Sequence, residues 1–206
     1  MQTAASRAGR PRNPAIDNRA LDAALQVYAA RGWEGLTFEA VAREANVGKP
    51  ALYRRWDSPA HLLIDAFGTL ELPTPRDCGS LRADLTDYGQ QFVQWYSKRE
   101  HAFISARLNV DKWVVDDLAE LYERHVRGPR ILAARHMAEA AIARGEIQST
   151  EQARIAIELL LGSMNSHFTQ TRKEQHSKLL ETFPSYVATV VDIIFTGIIL
   201  RDVSDA

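Results

Sequence analysis

Residues 46–56, NVGKPALYRRW, contain three cations and no carboxylate. The whole chain of 206 residues has a formal net charge of -1, so this positive charge is local. Cations and small side chains on a narrow helix suit the phosphates and base edges of a DNA major groove. Free backbone N–H groups at the start of the helix also suit a phosphate, with Gly48 as the N-cap. The segment therefore predicts a helix that binds double-stranded DNA.

Charge is divided unevenly along the chain. The first 60 residues contain nine Lys or Arg against six Asp or Glu, a balance of +3, which leaves -4 for the remainder. This asymmetry indicates an anionic partner at the N-terminal end and a different task for the rest.

The other reactive side chains show no pattern of a catalytic or metal site. The six histidines are scattered, and the sequence has no zinc-ligand spacing, phosphate loop or nucleophile elbow. Cys78 is the single cysteine, which favours a reducing, cytoplasmic location. No signal peptide is recognisable, and the apolar run at 190–200 is too short to span a bilayer. We predict no metal, cofactor or membrane, and an enzyme or helical carrier is the weaker alternative.

Helical periodicity makes the basic segment the third of three helices. Apolar residues at i, i+3, i+4 and i+7 predict a first helix over about 15–31, closed by Gly32. Thr37 is a candidate N-cap for a second helix in FEAVAREA, and the pattern restarts after NVG. Short helices separated by a turn of three or four residues are typical of a helix-turn-helix.

The rest of the chain also has helical patterns. A fourth helix is predicted from Ser58 to about Leu70, and no segment alternates as a half-buried strand would. The predicted fold is all-α. A basic disordered arm at 1–14 precedes a three-helix helix-turn-helix DNA-binding domain at 15–57, followed by a larger helical ligand-binding and dimerisation domain at 58–206.

The segment GLTFEAVAREANVGKPALYRRWDSPAHLL resembles the DNA-binding segment of the TetR family of transcriptional repressors. It has the G-x-T and L-Y-x-x-W elements of that pattern, and the resemblance covers roughly residues 16–70. The rest of the chain is similar to the family only in helix pattern and length. The resemblance implies that the DNA-binding residues are Thr37, Lys49, Pro50, Ala51, Tyr53, Arg54 and Arg55.

Two further features bear on DNA binding. Pro59 stands where the family usually has a lysine that touches a phosphate, so that contact is lost unless Ser58 and backbone amides replace it. In the arm, GRPR at 9–12 resembles an AT-hook core, in which an arginine enters a narrow minor groove. Arg10 is the candidate contact, and a flexible leader is the alternative.

Aromatic residues of the second domain predict a ligand pocket. Tyr88, Phe92 and Trp95 form a helical stripe that suits a pocket wall, with ordinary helix core as the alternative. An opposite wall is predicted one long helix later, at the i, i+3, i+4 positions of Met164, His167 and Phe168. The expected ligand is an apolar or aromatic inducer. The ligand-binding candidates are Tyr88, Phe92, Trp95, Phe103, Arg107, Met164, His167 and Phe168.

The last two long helices predict a homodimer interface. ELLLGSMNS supplies small residues for close helix approach, and YVATVVDIIFTGII supplies a broad apolar face, with ordinary core as the alternative. The interface candidates are Gly162, Val187, Val191, Ile194, Phe195 and Ile198. The resemblance implies a cytoplasmic repressor that binds a palindromic operator as a dimer and is released when an inducer shifts the fourth helix. A ligand-independent or activating regulator is the alternative.

Overall fold

The computed structural model describes residues 14–199, without the side chains of residues 99, 100, 102, 173, 198 and 199. This part of the chain is mostly helical and contains no β-strand, which confirms the all-α prediction. The helices are α1 (Pro14–Gly35), α2 (Phe38–Glu44), α3 (Lys49–Tyr53), α4 (Pro59–Gly68), α5 (Leu81–Ser97), α6 (Arg99–Asp111), α7 (Asp116–Tyr122), α8 (Gly128–Ala143), α9 (Thr150–Gln170) and α10 (His176–Ile194).

Irregular helical turns join or extend three of these elements. A π-helical turn, Glu123–Arg127, joins α7 to α8, and a second, Phe195–Ile199, continues α10. A 3₁₀ turn, Lys173–Gln175, precedes α10. π-Helical turns are rare in proteins, and those that occur often lie at functional sites. The turn between α7 and α8, called the π-turn below, is therefore a candidate part of a functional site.

Two buried apolar clusters organise the helices. The N-terminal core joins α1–α4 to one face of α6 and α7, and the C-terminal core lies among α5, α8, α9 and α10. Ile104 and Leu108 of α6, and Leu118 of α7, are buried in the N-terminal core although they belong to the predicted second domain. A movement of α6 or α7 therefore acts directly on the packing of the helix-turn-helix.

Polar contacts fix α6 to the end of α1. Arg107 donates from Nε to the carbonyl oxygen of Ala29 at 2.9 Å and from Nη2 to that of Ala30 at 3.1 Å. The buried hydroxyl of Tyr28 donates to Asp111 Oδ2 at 2.9 Å. Burial, and then this hydrogen bond, raise the pKa of Tyr28, so its hydroxyl stays protonated and remains a donor.

The first helix bends at Gly32, the residue predicted to close it. Its φ of 70° lies in the left-handed region, which favours glycine. A Cβ at this position would lie 2.7 Å from Nη1 of Arg107, so a side chain would also push against α6. The bend and the Arg107 contacts together seat the end of α1 on the second domain.

The last helix directs its apolar side chains inward. Val187, Val191 and Ile194 are buried in the C-terminal core, and a Cβ on Gly89 of α5 would lie 2.6 Å from Cγ1 of Val187. Because buried side chains offer no surface to a partner, the prediction that these three residues form the dimer interface is corrected. Phe195 is partly buried, with the guanidinium carbon of Arg82 4.5 Å from its ring centroid.

The two remaining interface candidates differ in their placement. Gly162 is exposed on α9, and Ile198 is among the residues whose side chains are not described. One helical run, His176–Gly197, is long and apolar enough by length and composition alone to cross a membrane, with a mean hydropathy of 1.3. It packs Leu179 and Phe183 into the C-terminal core.

Candidate DNA interface and ligand cavity

The basic segment forms α3 and the turns that flank it. Gly48 is the N-cap, and Pro50 lies in the first turn, where the helix needs no N–H from it. Leu52 is fully buried in the N-terminal core, and the indole N–H of Trp56 donates to Asp65 Oδ2 at 2.8 Å. This short helix is therefore held from its inner side, and its outer side faces solvent.

The turn before α3 is fixed by local signals. The Thr37 hydroxyl accepts a hydrogen bond from the Ala40 N–H at 3.1 Å, which confirms it as the N-cap of α2. Asn46 follows α2 with a φ of 51°, in the left-handed region that asparagine tolerates better than most residues. Since the Thr37 hydroxyl is used in the cap, it positions α2, and its contact with DNA remains a prediction.

The outer side of α3 carries three of the predicted contacts. Tyr53 is 63% exposed, and its ring meets that of Phe38 edge-on with centroids 4.7 Å apart. Arg54 is exposed and forms no ion pair within residues 14–199. Lys49 pairs at the surface with Glu39 of α2. Surface pairs of this kind are weak, so Lys49 can exchange its carboxylate for a phosphate.

Arg55 has a different role from its neighbours. Its guanidinium pairs with Asp17 of α1 and donates from Nη1 to the Ala51 carbonyl oxygen at 2.9 Å. The side chain is only 14% exposed. The structure thus places Arg55 between α3 and α1, where it positions the helix. Arg10, the predicted minor-groove contact, lies outside the described residues.

The start of α4 shows what replaces the lysine of the family. The Ser58 hydroxyl accepts from the His61 N–H at 3.1 Å as the N-cap, and Pro59 occupies the first turn. The hydroxyl is therefore committed to the cap. His61 is exposed one turn into α4, with Nδ1 3.7 Å from Asp57, and the sequence analysis did not single it out.

A small cavity of about 30 Å³ lies where α4, α5, α6, the π-turn and α8 meet. Tyr88, Phe92 and Trp95 line it from α5 and are also buried in the C-terminal core, so the stripe fits both a pocket wall and ordinary helix core. Phe67 of α4 and His125 of the π-turn close another side, with ring centroids 6.4 Å apart. The volume is enough for about one water molecule.

The predicted opposite wall is not at this cavity. Met164 and Phe168 are buried in the C-terminal core, where Phe168 stacks on Tyr96 with centroids 5.3 Å apart. His167 stacks on Tyr186 at 4.1 Å. These contacts correct the prediction that α9 forms the opposite wall, because that side of α9 packs against α5 and α10.

The two α6 candidates also lie elsewhere. Phe103 and Arg107 line an open depression against α1, and the Arg107 guanidinium is occupied by the carbonyls of that helix. The residues that do close the cavity were missed because Phe67 looked like ordinary helix core and His125 like a scattered histidine. Their shared location depends on how α4, the π-turn and α8 cross, which helical periodicity does not encode.

The polar groups at the cavity are mainly hydrogen-bond donors. The buried Trp95 indole nitrogen has no acceptor within the described residues. Burial raises the pKa of Tyr88 to about 12, against the opposing effect of the Arg130 charge, so its hydroxyl is protonated. Burial, and then the charge of Arg124, lower the pKa of His125, which keeps its ring uncharged at neutral pH. The cavity can therefore donate hydrogen bonds to a ligand.

Comparison with known proteins adds independent evidence. Residues 75–183 match the tetracyclin repressor-like C-terminal domain, and residues 20–66 match the bacterial regulatory proteins of the tetR family. The chain is 27% identical over 196 residues, 94% of each chain, to the uncharacterized HTH-type transcriptional regulator YdeS of Bacillus subtilis. It is 31% identical over 156 residues, 73% of each chain, to the HTH-type transcriptional regulator AqdR of Rhodococcus erythropolis.

A solved structure shows the same fold. The transcriptional regulator from Rhodococcus sp. Rha1 superposes with a TM-score of 0.65 at 21% identity. The match covers 90% of this chain and 96% of that one, so it includes both the helix-turn-helix and the larger helical domain.

Proposed function

Because the chain belongs to the TetR family of transcriptional regulators, we propose that it represses transcription as a homodimer on a palindromic operator and that a small molecule releases it. The observation that supports DNA binding most directly is the outer side of α3. Tyr53 and Arg54 project into solvent there, while Leu52 anchors the helix from within. Such a helix enters a major groove without any change in the core.

Each group at α3 has a distinct part in this proposal. Arg54 and Lys49 contact bases or phosphates, and the Tyr53 hydroxyl contacts a phosphate. The backbone N–H of Lys49, the first residue of α3, adds a further phosphate contact. Arg55 holds α3 at a fixed angle to α1 through Asp17.

The proposed release of the protein from its operator rests on the size of the cavity and on the helices that line it. An organic ligand is far larger than about 30 Å³, so it binds only a state in which the walls have separated. Phe67 is one of these walls and belongs to α4, whose other end follows α3 after a short turn. Ligand binding therefore favours a displaced α4, and hence a changed spacing between the two α3 helices of a dimer.

The interface proposed for the dimer uses the outer faces of α9 and α10. Leu159 and Ile193 are 47% and 64% exposed, which leaves apolar surface for a partner to cover. Gly162, also exposed, lies one turn after Leu159 and permits close approach of a second helix. A two-fold dimer through these helices places two copies of α3 on two half-sites.

For the dimer, we expect Ile193→Glu to raise the dissociation constant at least about tenfold, because the interface would bury an unpaired charge. Sedimentation velocity over a range of protein concentrations measures this change. Val114→Glu is the matched control, since Val114 is also apolar and exposed but lies between α6 and α7. An Ile193→Glu protein that dimerises like the parent would show that the interface is elsewhere.

The proposed function is tested on the promoter region upstream of the protein's own gene. We expect a gel shift with a palindromic fragment, an affinity that falls steeply with added salt, and reduced transcription from that fragment in vitro. A fragment with scrambled half-sites is the control. Increased transcription would show the activating alternative, and equal affinity for both fragments would contradict specific operator binding.

A further inference from the structure

Among the described residues, Arg130 has no acidic partner, although the other arginines between residues 124 and 154 each pair with an Asp or Glu. It is partly buried on the first turn of α8, and it forms no ion pair within residues 14–199. The arginines from 124 to 154 that do pair with an Asp or Glu are Arg124, Arg127, Arg135, Arg144 and Arg154. A half-buried guanidinium without a counter-ion favours an anion from outside the chain, because it can bind one through paired hydrogen bonds.

The charge of Arg130 acts on the aromatic wall of the cavity. Burial raises the pKa of Tyr88 and of Tyr96, and the Arg130 guanidinium opposes both shifts. Arg130 lines the small cavity together with Tyr88 and Trp95. It also lines an outer pocket of about 370 Å³, in which Glu158 is already paired with Arg154. Arg130 thus lines both the small cavity and the larger outer pocket.

Independent polar groups point to an acceptor on the ligand. Trp95 is 8% exposed, and its indole N–H has no acceptor among the described residues. Its ring lines this cavity and also a neighbouring pocket that contains His101. Ser105 supplies a hydroxyl from α6, and the cavity lining contains no Asp or Glu. A cationic ligand would face Arg130 without compensation, and a purely apolar one would leave both Arg130 and the Trp95 N–H unsatisfied.

We propose that the ligand is an amphipathic carboxylate, with its carboxylate bound by Arg130 and its aromatic or aliphatic body held against Phe67 and Phe92. A guanidinium binds a carboxylate through two parallel hydrogen bonds, which suits a single anionic group at the edge of an apolar cavity. This inference rests on the proposed function, because it assigns the chemistry of the molecule that releases the operator.

Titration calorimetry with matched compounds tests the charge of the ligand. The probes are carboxylates with straight chains of six to fourteen carbons or with one or two aromatic rings, each compared with its primary amide. We expect carboxylates to bind the parent protein at least about tenfold more tightly than their amides. Arg130→Met should abolish most of that preference while leaving the affinity for the amides unchanged. Arg130→Lys should keep part of it, because lysine retains the charge without the paired donors.

Arg135→Met is the matched control, since Arg135 is on the same helix but is exposed and paired with Glu139. It should retain the full preference for carboxylates. Equal binding of amides and carboxylates by the parent protein, or an undiminished preference in Arg130→Met, would overturn the proposal that Arg130 binds a carboxylate. Neither result would bear on DNA binding.

Operator binding by the same samples separates this inference from the proposed function. Carboxylates that bind should also release the palindromic fragment over the same concentration range. Binding of no probe by a protein that still binds the operator would overturn both the ligand-release proposal and the carboxylate, but not the DNA-binding proposal. Failure of operator binding with intact carboxylate selectivity would overturn the DNA-binding proposal and leave the ligand assignment standing.

Discussion

The combined change Lys49→Ala, Tyr53→Phe and Arg54→Ala is expected to lower operator affinity at least about 150-fold. Groove and phosphate contacts each contribute on the order of 1–3 kcal/mol, so three lost contacts remove at least about 3 kcal/mol. Fluorescence anisotropy with a labelled palindromic fragment measures the loss. The dependence of binding on salt should also weaken, because fewer cations displace counterions from the phosphates.

The triple variant should fold as the parent protein does. Tyr53→Phe keeps the ring contact with Phe38, and Lys49 loses only a surface pair with Glu39. Arg54 forms no ion pair among the described residues. We therefore expect the urea midpoint of the variant to match that of the parent, which separates a lost DNA contact from a lost fold.

Two single variants sharpen this test. Arg135→Ala removes an exposed cation of α8 and should leave operator affinity unchanged. Arg55→Ala should lower both affinity and stability, because its pair with Asp17 holds α3 against α1. If the triple variant bound the operator with the parent affinity, α3 would not be the recognition helix.

The helix-turn-helix could be predicted because its signals are local. The Thr37 cap, the glycine and proline at the start of α3 and the inward position of Leu52 all lie within a few residues of the elements they shape. The position of Arg55 could not be predicted in this way. Its partner, Asp17, is 38 residues away, and only the packing of α3 on α1 brings the two side chains together.

The cavity lined by α5 shows the limit of helical periodicity more clearly. The spacing of Tyr88, Phe92 and Trp95 predicts one shared face of α5, and that face does line the cavity. The pattern does not say which helix lies opposite. The structure supplies Phe67 and Arg130 there, whereas the periodic residues of α9 pack into the C-terminal core.

The apolar face of α10 illustrates the same ambiguity. A stripe of Val and Ile residues suits a dimer interface or an intramolecular core equally well, because both bury the same kind of surface. The decisive residue is Gly89, which lets α5 approach so closely that Val187 is covered within the chain. Only the residues left exposed, such as Ile193, can contribute to a partner contact.

Removal of the buried carboxylate of Asp84 is expected to cost about 3 kcal/mol of unfolding free energy. Asp84 is 1% exposed, and it accepts hydrogen bonds from the Cys78 N–H at 2.6 Å and from Arg144 Nη2 at 3.0 Å. Hydrogen bonds to charged groups contribute about 1.5–3 kcal/mol each, and the lower value for the two bonds that Asp84→Ala removes gives a loss of about 3 kcal/mol. Urea unfolding followed by circular dichroism measures the change.

The cost is expected because Asp84 belongs to a clasp between distant parts of the chain. Arg144 also binds Asp77 at 2.9 Å, and Glu146 accepts from the Leu81 N–H at 2.6 Å. Together these contacts tie the start of α5 to the turn between α8 and α9. Asp87→Ala is the control, because Asp87 is a half-buried acid on the same helix whose ion-pair partner, Arg76, is exposed. Asp87→Ala should lower the free energy of unfolding by less than about 1 kcal/mol.

A double variant tests whether Asp84 and Arg144 of the clasp stabilise the protein as a pair. Arg144→Met alone should destabilise the protein, because it leaves the buried Asp84 carboxylate without its cation. Adding Asp84→Leu removes that unpaired charge, so the double variant should lose less stability than the sum of the losses in Arg144→Met alone and Asp84→Leu alone. Additive losses would mean that the two side chains act independently. Since the clasp is remote from α3 in the fold, the folded fraction of each variant should bind the operator as tightly as the parent, and a loss of affinity would instead show that the clasp also sets the position of the DNA-binding helices.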